Sequence, residues 1–387
     1  MALKMHPAEA REAYLIPIFL VTIVVAAILP MFFESYRTTY FGIMSYDDYS
    51  RYLLWLLGEP GAEIPPSPHP YRLGSIILAA PFYYLPVVTF SGQGIQQAPM
   101  LMDPEHIRAV QAMCAANIAY ATLSACIGGL YLAFWRNVSM GWAFSAALLF
   151  LLLTRYLGMG SVDGIATLPL IIAAIAMVER RIATFAAAVI LGTIVNEKVA
   201  LIAFFATSLR TLFVAEHRRV HFMMAGIAAV ALAAYAAAVL TLALPGLDNQ
   251  RDPSTYLSGI IGSVGGLVGM KGAYQNLWPA IVLLVLGWTG IRQSRDPMVY
   301  VCDLGGIIAL FLFALALDVQ YNVGRIVMFS MPLFLLGAVE NMARLSLSAG
   351  SRALHTSGRD AARPTVSAPA FPTLAGAEGT KPSPSVS

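Results

Sequence analysis

The chain has 387 residues, 58% of them hydrophobic and 12% charged, with a formal net charge of +3 and a mean hydropathy of +0.70. Soluble domains carry roughly 25% charged residues, so this composition excludes an ordinary soluble enzyme and points to a polytopic membrane protein. The small positive charge is spread along the chain and forms no basic stripe, which excludes nucleic acid as a partner.

In chain order, Lys4 and Arg11 precede an apolar run from Tyr14 to Phe33. The charge order is that of a signal sequence. The run is too long for an h-region and no Ala-x-Ala site follows it, so an uncleaved anchor with a cytoplasmic N-terminus is expected. Further apolar runs at 108–134, 140–156, 162–178, 183–195, 198–213, 222–244, 277–291, 299–317 and 324–340 predict helices, because a lone strand in lipid leaves its backbone groups unpaired. The expected fold class is all-α, a polytopic transmembrane helical bundle of about 10 spans with one additional interfacial or re-entrant helix.

That additional helix is the segment 73–90, which carries Pro81, Pro86 and the Tyr83-Tyr84 pair. The Lys/Arg bias of short loops decides its placement. If 73–90 does not cross, Arg136, Arg180, Arg181, Arg210, Arg218, Arg219, Arg292, Arg295 and Arg344 fall on the cytoplasmic side. The acidic loops around Asp47-Asp48, Asp103, Asp163, Glu197, Asp248 and Asp318 then fall outside. If it crosses, every later assignment inverts. The same count divides 183–213 into two short helices meeting at Asn196-Glu197-Lys198 near the outer face. Ionisable groups at such a depth are costly and are mostly functional.

A transmembrane domain is thus expected over 1–340, with the outer loop 34–107 carrying the candidate site. Beyond Glu340 the chain turns to Ser, Ala, Pro, Thr and Gly, so 341–387 is expected to be a disordered cytoplasmic tail. Cys114, Cys126 and Cys302 lie within apolar runs without metal-ligand spacing and read as packing residues. No internal repeat, Walker-type loop, His-Glu-x-x-His or Gly-x-Ser-x-Gly motif is present, which demotes ATP-driven pumping and the usual membrane hydrolases.

On the preferred orientation the outer face collects Asp47, Asp48, His69, Tyr71, Arg72, Arg155, Asp163, Glu197, Lys198, Lys271 and Arg325. Asp47 or Asp48 suits a general base that takes a proton from an attacking hydroxyl or amine. The competing reading is a solvated helix start, since Ser45-x-x-Asp48 resembles a capping box. Arg72, Lys198 and Arg325 suit a phosphate or pyrophosphate, arginine as a planar donor fork and lysine as a compact charge. Against this stands the reading of snorkelling anchors at helix ends, which leads for Arg155.

Tyr46, Tyr49 and Tyr71 suit either stacking on a sugar or an aromatic interface belt. His69 has no companion at metal-ligand spacing; Pro70 after it imposes an extended backbone on the approach to 73–90. The glycine-rich stretch 259–272 in the loop 245–276 makes Lys271 available to an anion.

Together these residues resemble the GT-C superfamily of polytopic glycosyltransferases. Asp47-Asp48 stands where that superfamily carries an acidic residue, in the first outer loop soon after the first span, and 73–90 looks like its surface-lying helix. Leu191-Gly-Thr-Ile-Val-Asn-Glu-Lys198 is similar to the Gly-then-Lys helix pair of bacterial members related to the protein mannosyltransferase and aminoarabinose transferase families. Asn322-Val-Gly-Arg325, followed by Pro332, is similar to their Arg-then-Pro pattern. The chain departs from them in showing no soluble C-terminal domain and in carrying Glu197, which can neutralise Lys198.

The resemblance implies transfer of a sugar from a polyprenyl-phosphate donor to a lipid, glycan or protein acceptor at the outer face, with no separate cofactor and a divalent metal left open. Asp47 or Asp48 would be the base and Arg72, Lys198 and Arg325 the donor-phosphate ligands. Tyr46, Tyr49, His69, Tyr71, Glu197 and Lys271 would line the substrate site. The lipid-linked donor and membrane lipids are the implied partners. Two other classes stay open: a transporter or lipid-carrier flippase, and a non-catalytic envelope assembly subunit.

Overall fold

The computed structural model describes residues 16, 18–27, 47–60, 62, 72–85, 104–154, 163–241, 285, 287–294, 296–316 and 329–361. Every regular element among the described residues is helical, as composition demands. The first helix, α1, is Ile18–Ala27. It is followed by α2 (Asp47–Leu56), α3 (Leu73–Tyr83), α4 (Pro104–Phe134), α5 (Met140–Thr154), α6 (Asp163–Val178), α7 (Ile182–Val195), α8 (Lys198–Phe213) and α9 (Arg218–Thr241). A 3-10 turn at Ile291–Gln293 precedes α10 (Pro297–Ala316) and α11 (Met331–Ala361). Two stretches, Glu105–Phe134 and Arg218–Val239, are long and apolar enough to cross a membrane.

The chain divides into two compact units, Met1–Leu345 and Ser346–Ser387. Within the first, α4 packs on α5 and α6, α6 on α7, α8 on both α9 and α10, and α7 on α9. The turns 179–181, 196–197 and 214–217 are short, and turns of that length make sequential helices antiparallel neighbours. The starts of α4, α6 and α8 and the ends of α7 and α9 therefore share one end of the bundle, which we call the near end. The ends of α4, α6 and α8 and the starts of α7, α9 and α10 share the far end.

In the second unit the described residues continue α11 to Ala361. The helix thus runs past Glu340, where the tail is expected to start. The stretch Asn341–Leu354 holds three Ala, three Leu, two Arg and one Met among its Ser residues and is free of proline, so helix-favouring residues carry the helix on after the apolar run has stopped.

Far-end turns are closed by left-handed residues without glycine. Arg180 has φ +59°, Asn137 φ +54° and His217 φ +57°. At Arg180 the next amide, Arg181 N–H, donates to the Ala176 carbonyl at 2.9 Å. This is the hydrogen bond of a Schellman cap, in a position glycine fills most often.

The short helix α3 does not run along the bundle. Its N-cap, Arg72, meets Glu197 at the start of α8. At its other end the Tyr83 carbonyl accepts from Arg108 Nε at 2.7 Å, in the first turns of α4. Both ends of α3 are therefore tied to near-end residues, and its 11 residues extend only about 16 Å. The remainder of the expected segment, 86–90, lies outside the described residues.

Candidate functional site

The near end holds a connected set of polar side chains from five elements. In α2 the buried residues Tyr49, Tyr52 and Leu53 recur at helical spacing, so one face of this helix packs inward. The adjacent Ser50 is also buried, its hydroxyl 3.1 Å from His106 Nε2 of α4. The contact seats α2 against the start of α4, with Asp47 and Asp48 as its first two residues.

Tyr49 is the link to the second element. Its phenol oxygen accepts from Arg72 Nη1, while Arg72 Nε donates to Glu197 Oε2 at 2.8 Å and Nη2 donates to Oε1. The guanidinium thus makes a two-pronged pair with one carboxylate, the arrangement its planar fork favours. Two glycines allow the approach. A Cβ at Gly74 would stand 3.1 Å from the backbone of Ile194, so α3 can lie directly on the end of α7. A Cβ at Gly192 would stand 2.5 Å from Val199 Cγ1, so α8 can fold back closely on α7.

The third part is the turn between α7 and α8. Asn196 is extended, with φ −163° and ψ 121°, and its Oδ1 accepts the Lys198 backbone N–H at 3.2 Å, a capping bond at the start of α8. Its Nδ2 donates to Asp163 Oδ1 at 2.8 Å, and Lys198 Nζ donates to the same oxygen at 2.8 Å. Asp163 opens α6 and is fully buried. Asn117 of α4 fixes that opening, its Oδ1 accepting the Ile165 N–H at 3.0 Å. Lys198 Nζ also lies 5.6 Å from the centre of the Phe329 ring.

Charges in the cluster balance. The Arg72 and Glu197 side chains are 10% and 24% exposed, those of Lys198 and Asp163 12% and 0%. Burial pushes the Glu197 carboxyl up, but the Arg72 charge, its hydrogen bonds and Lys198 outweigh it and hold the group at about 2. Burial works against the charged form of Arg72 as well; Glu197 and Tyr49 overcome it and raise the guanidinium well above its ordinary value. Tyr49 is raised, chiefly by burial, against the pull of Arg72.

Of the residues expected at the site, Tyr49, Arg72, Glu197 and Lys198 are brought together. Asp47 and Asp48 begin the helix that carries Tyr49. Tyr46, His69, Tyr71, Lys271 and Arg325 lie outside the described residues, as does Arg155. The partnership differs from expectation: Glu197 engages Arg72, and the counter-charge of Lys198 is Asp163. The sequence places Asp163 on the outer face and Asn196 in the turn, both without a role, and gives no sign of Tyr235. Tyr235 of α9 donates to Glu197 Oε2 at 3.4 Å. It sits in an alanine-rich helix where nothing local marks it.

The far end holds a second polar concentration around a small cavity of about 80 Å³. Arg210 donates to Asp303 at 2.9 and 2.7 Å, joining α8 to α10. Arg136 donates to Glu340 at 2.8 and 3.0 Å, joining the end of α4 to α11, and Arg344 adds a 3.0 Å bond to the same carboxylate. Several of the arginines assigned to the cytoplasmic side thus tie helices together. No group of three or more potential metal ligands occurs among the described residues. No family model matches the chain, and no curated protein or solved structure does either.

Proposed function

We propose that the protein is an integral membrane glycosyltransferase of the GT-C kind, which moves a sugar from a polyprenyl-phosphate donor to a lipid, glycan or protein acceptor at the outer membrane face. The observation that carries this reading is the Arg72–Tyr49 hydrogen bond. It fastens the helix beginning with Asp47-Asp48 to the cationic cluster, so a candidate base and two of the candidate phosphate ligands, Arg72 and Lys198, belong to one linked set of elements. In the reaction the acceptor oxygen or nitrogen forms a bond to the anomeric carbon and gives its proton to Asp47 or Asp48. The bond from that carbon to the phosphate oxygen breaks, and the electron pair leaves with the polyprenyl phosphate. Attack from the face opposite the leaving group inverts the configuration.

Several observations support this assignment. Helix α3, tied at both ends to the near end, suits a helix lying along the membrane surface. Among the described residues the far end carries Arg136, Arg180, Arg181, Arg210, Arg218, Arg219 and Arg292 and the near end Arg51, Arg72, Arg108 and Lys198, a basic excess at the far end that suits a cytoplasmic face there and an outer face at the near end under the positive-inside rule. Arg325 completes the phosphate-binding set in this proposal. The test is glycan transfer in cells carrying the double substitution Asp47→Asn and Asp48→Asn. Transfer is expected to be lost with the protein still present in the membrane, and intact transfer overturns the mechanism.

A transporter or flippase draws on a different observation, the Arg210–Asp303 pair buried between α8 and α10 beside the far-end cavity. Paired charges inside apolar helices are a feature of translocation paths. In cells of the double aspartate variant, transfer lost with no accumulation of donor on the cytoplasmic side favours the transferase.

A further inference from the structure

Resting on the proposed donor class, we infer that the Glu197 carboxylate occupies the donor-phosphate position in the ligand-free protein, and that a lipid phosphate takes over the Arg72 fork from it. Three observations lead there. The two cations are about equally buried, Arg72 at 10% and Lys198 at 12% exposed, but their partners differ: the Glu197 side chain is 24% exposed, whereas Asp163, which holds Lys198, is 0% exposed.

The two pairs also differ in how they are built. Asp163 Oδ1 accepts from both Lys198 and Asn196 and sits at the capped start of α6. Moving it would unmake the junction of three helices. Glu197 lies in the turn before α8, and its engagement with Arg72 uses side-chain atoms alone on both residues. A two-oxygen carboxylate on a guanidinium fork has the same shape and charge sense as two oxygens of a phosphate, so the exchange asks for no rebuilding of the fork.

The displaced carboxylate has a described place to go. Tyr235 Oη is 3.4 Å from Glu197 Oε2, a long contact that can shorten once Arg72 lets go. Lys198 therefore positions the turn, Arg72 meets the phosphate, and Glu197 sets how strongly an anion must bind to enter. A ligand-free protein with no such carboxylate would leave a buried guanidinium uncompensated, which is costly.

The experiment measures binding of decaprenyl phosphate, with neutral decaprenol as control, to the purified full chain in lipid nanodiscs. Wild type is expected to prefer the phosphate. If the open fork is populated at about one part in ten, Glu197→Gln is expected to bind about tenfold more tightly, and the gain is expected to vanish when Arg72→Gln is added. Tyr235→Phe keeps the Arg72–Glu197 pair and is expected to bind the phosphate several-fold more weakly, which gives a readout if Glu197→Gln does not fold. Unchanged or weaker binding by folded Glu197→Gln, or unchanged binding by Tyr235→Phe, overturns the exchange while leaving the donor class standing. No preference for the phosphate in any variant overturns the donor class itself.

Discussion

Lys198 Nζ stands 2.8 Å from Asp163 Oδ1, across 35 positions of sequence, and the contact joins the start of α8 to the start of α6. With Glu197 paired to Arg72, the two ion pairs interlock through adjacent residues of one turn.

Breaking the deeper pair on one side leaves an uncompensated buried ammonium. Asp163→Asn is expected to lower the stability of the purified protein by about 3–5 kcal/mol, read as thermal unfolding in detergent. Adding Lys198→Met to that background should recover much of the loss, since removing both charges removes the penalty. A double variant no more stable than Asp163→Asn would show that the pair is not what holds the turn.

The Glu197–Arg72 pair makes stability depend on acid. The folded carboxyl is held at about 2, below its ordinary 4.5, so its contribution is fully present above about pH 4.5. It is lost as pH falls toward 2, where the folded-state group also takes up a proton. The stability difference between wild type and Glu197→Gln is expected to be largest near neutrality and to shrink between pH 4.5 and 2. A difference independent of pH over that window would count against the pairing.

At the far end, Arg180 holds a left-handed conformation at φ +59°, which glycine adopts without steric cost. Arg180→Gly and Arg180→Ala both remove the loose 3.7 Å contact with Glu216. Their difference isolates the backbone: the glycine variant is expected to be more stable by about 1 kcal/mol. Equal stabilities in a melting comparison would contradict the cap geometry.

Placement of α3 governs which end faces out. Cys114, Cys126 and Cys302 are buried, so engineered thiols can be labelled over a low background. Ser139→Cys, in the exposed turn between α4 and α5, is expected to be shielded from an impermeant reagent in intact cells, and Gly92→Cys to react. Ser139→Cys reacting from outside would invert both faces and sink the site as drawn.

Much of the helical fold was legible because runs this apolar leave the backbone few choices. Apolar runs must be helices when nothing else can satisfy the backbone, and α4 to α10 coincide with those runs to within a few residues. The break at Asn196-Glu197-Lys198 was legible for the same reason, as charge placed where charge is expensive. The helical continuation of α11 was not, because hydropathy marks where apolar residues stop and says nothing of propensity beyond that point.

Part of the candidate site was legible as a list of residues. Arg72, Glu197 and Lys198 stood out as ionisable groups beside apolar helices, and Tyr49 as a neighbour of Asp48. Their pairing was not. Adjacency in sequence suggested Glu197 against Lys198, yet successive residues at a helix start point in different directions, and the two side chains turn to different partners.

The sequence by itself determined that this is a helical protein with polar chemistry gathered near helix ends, because hydrophobicity and charge are properties of each residue where it stands. Only the tertiary structure decided which carboxylate meets which cation. That choice depends on the close approach of α3 to α7 at Gly74 and of α7 to α8 at Gly192, and on Asn117 holding the start of α6 within reach of Lys198. Ion pairs are made over a few ångströms, and distances of that order between residues 35 or 125 positions apart are set by packing.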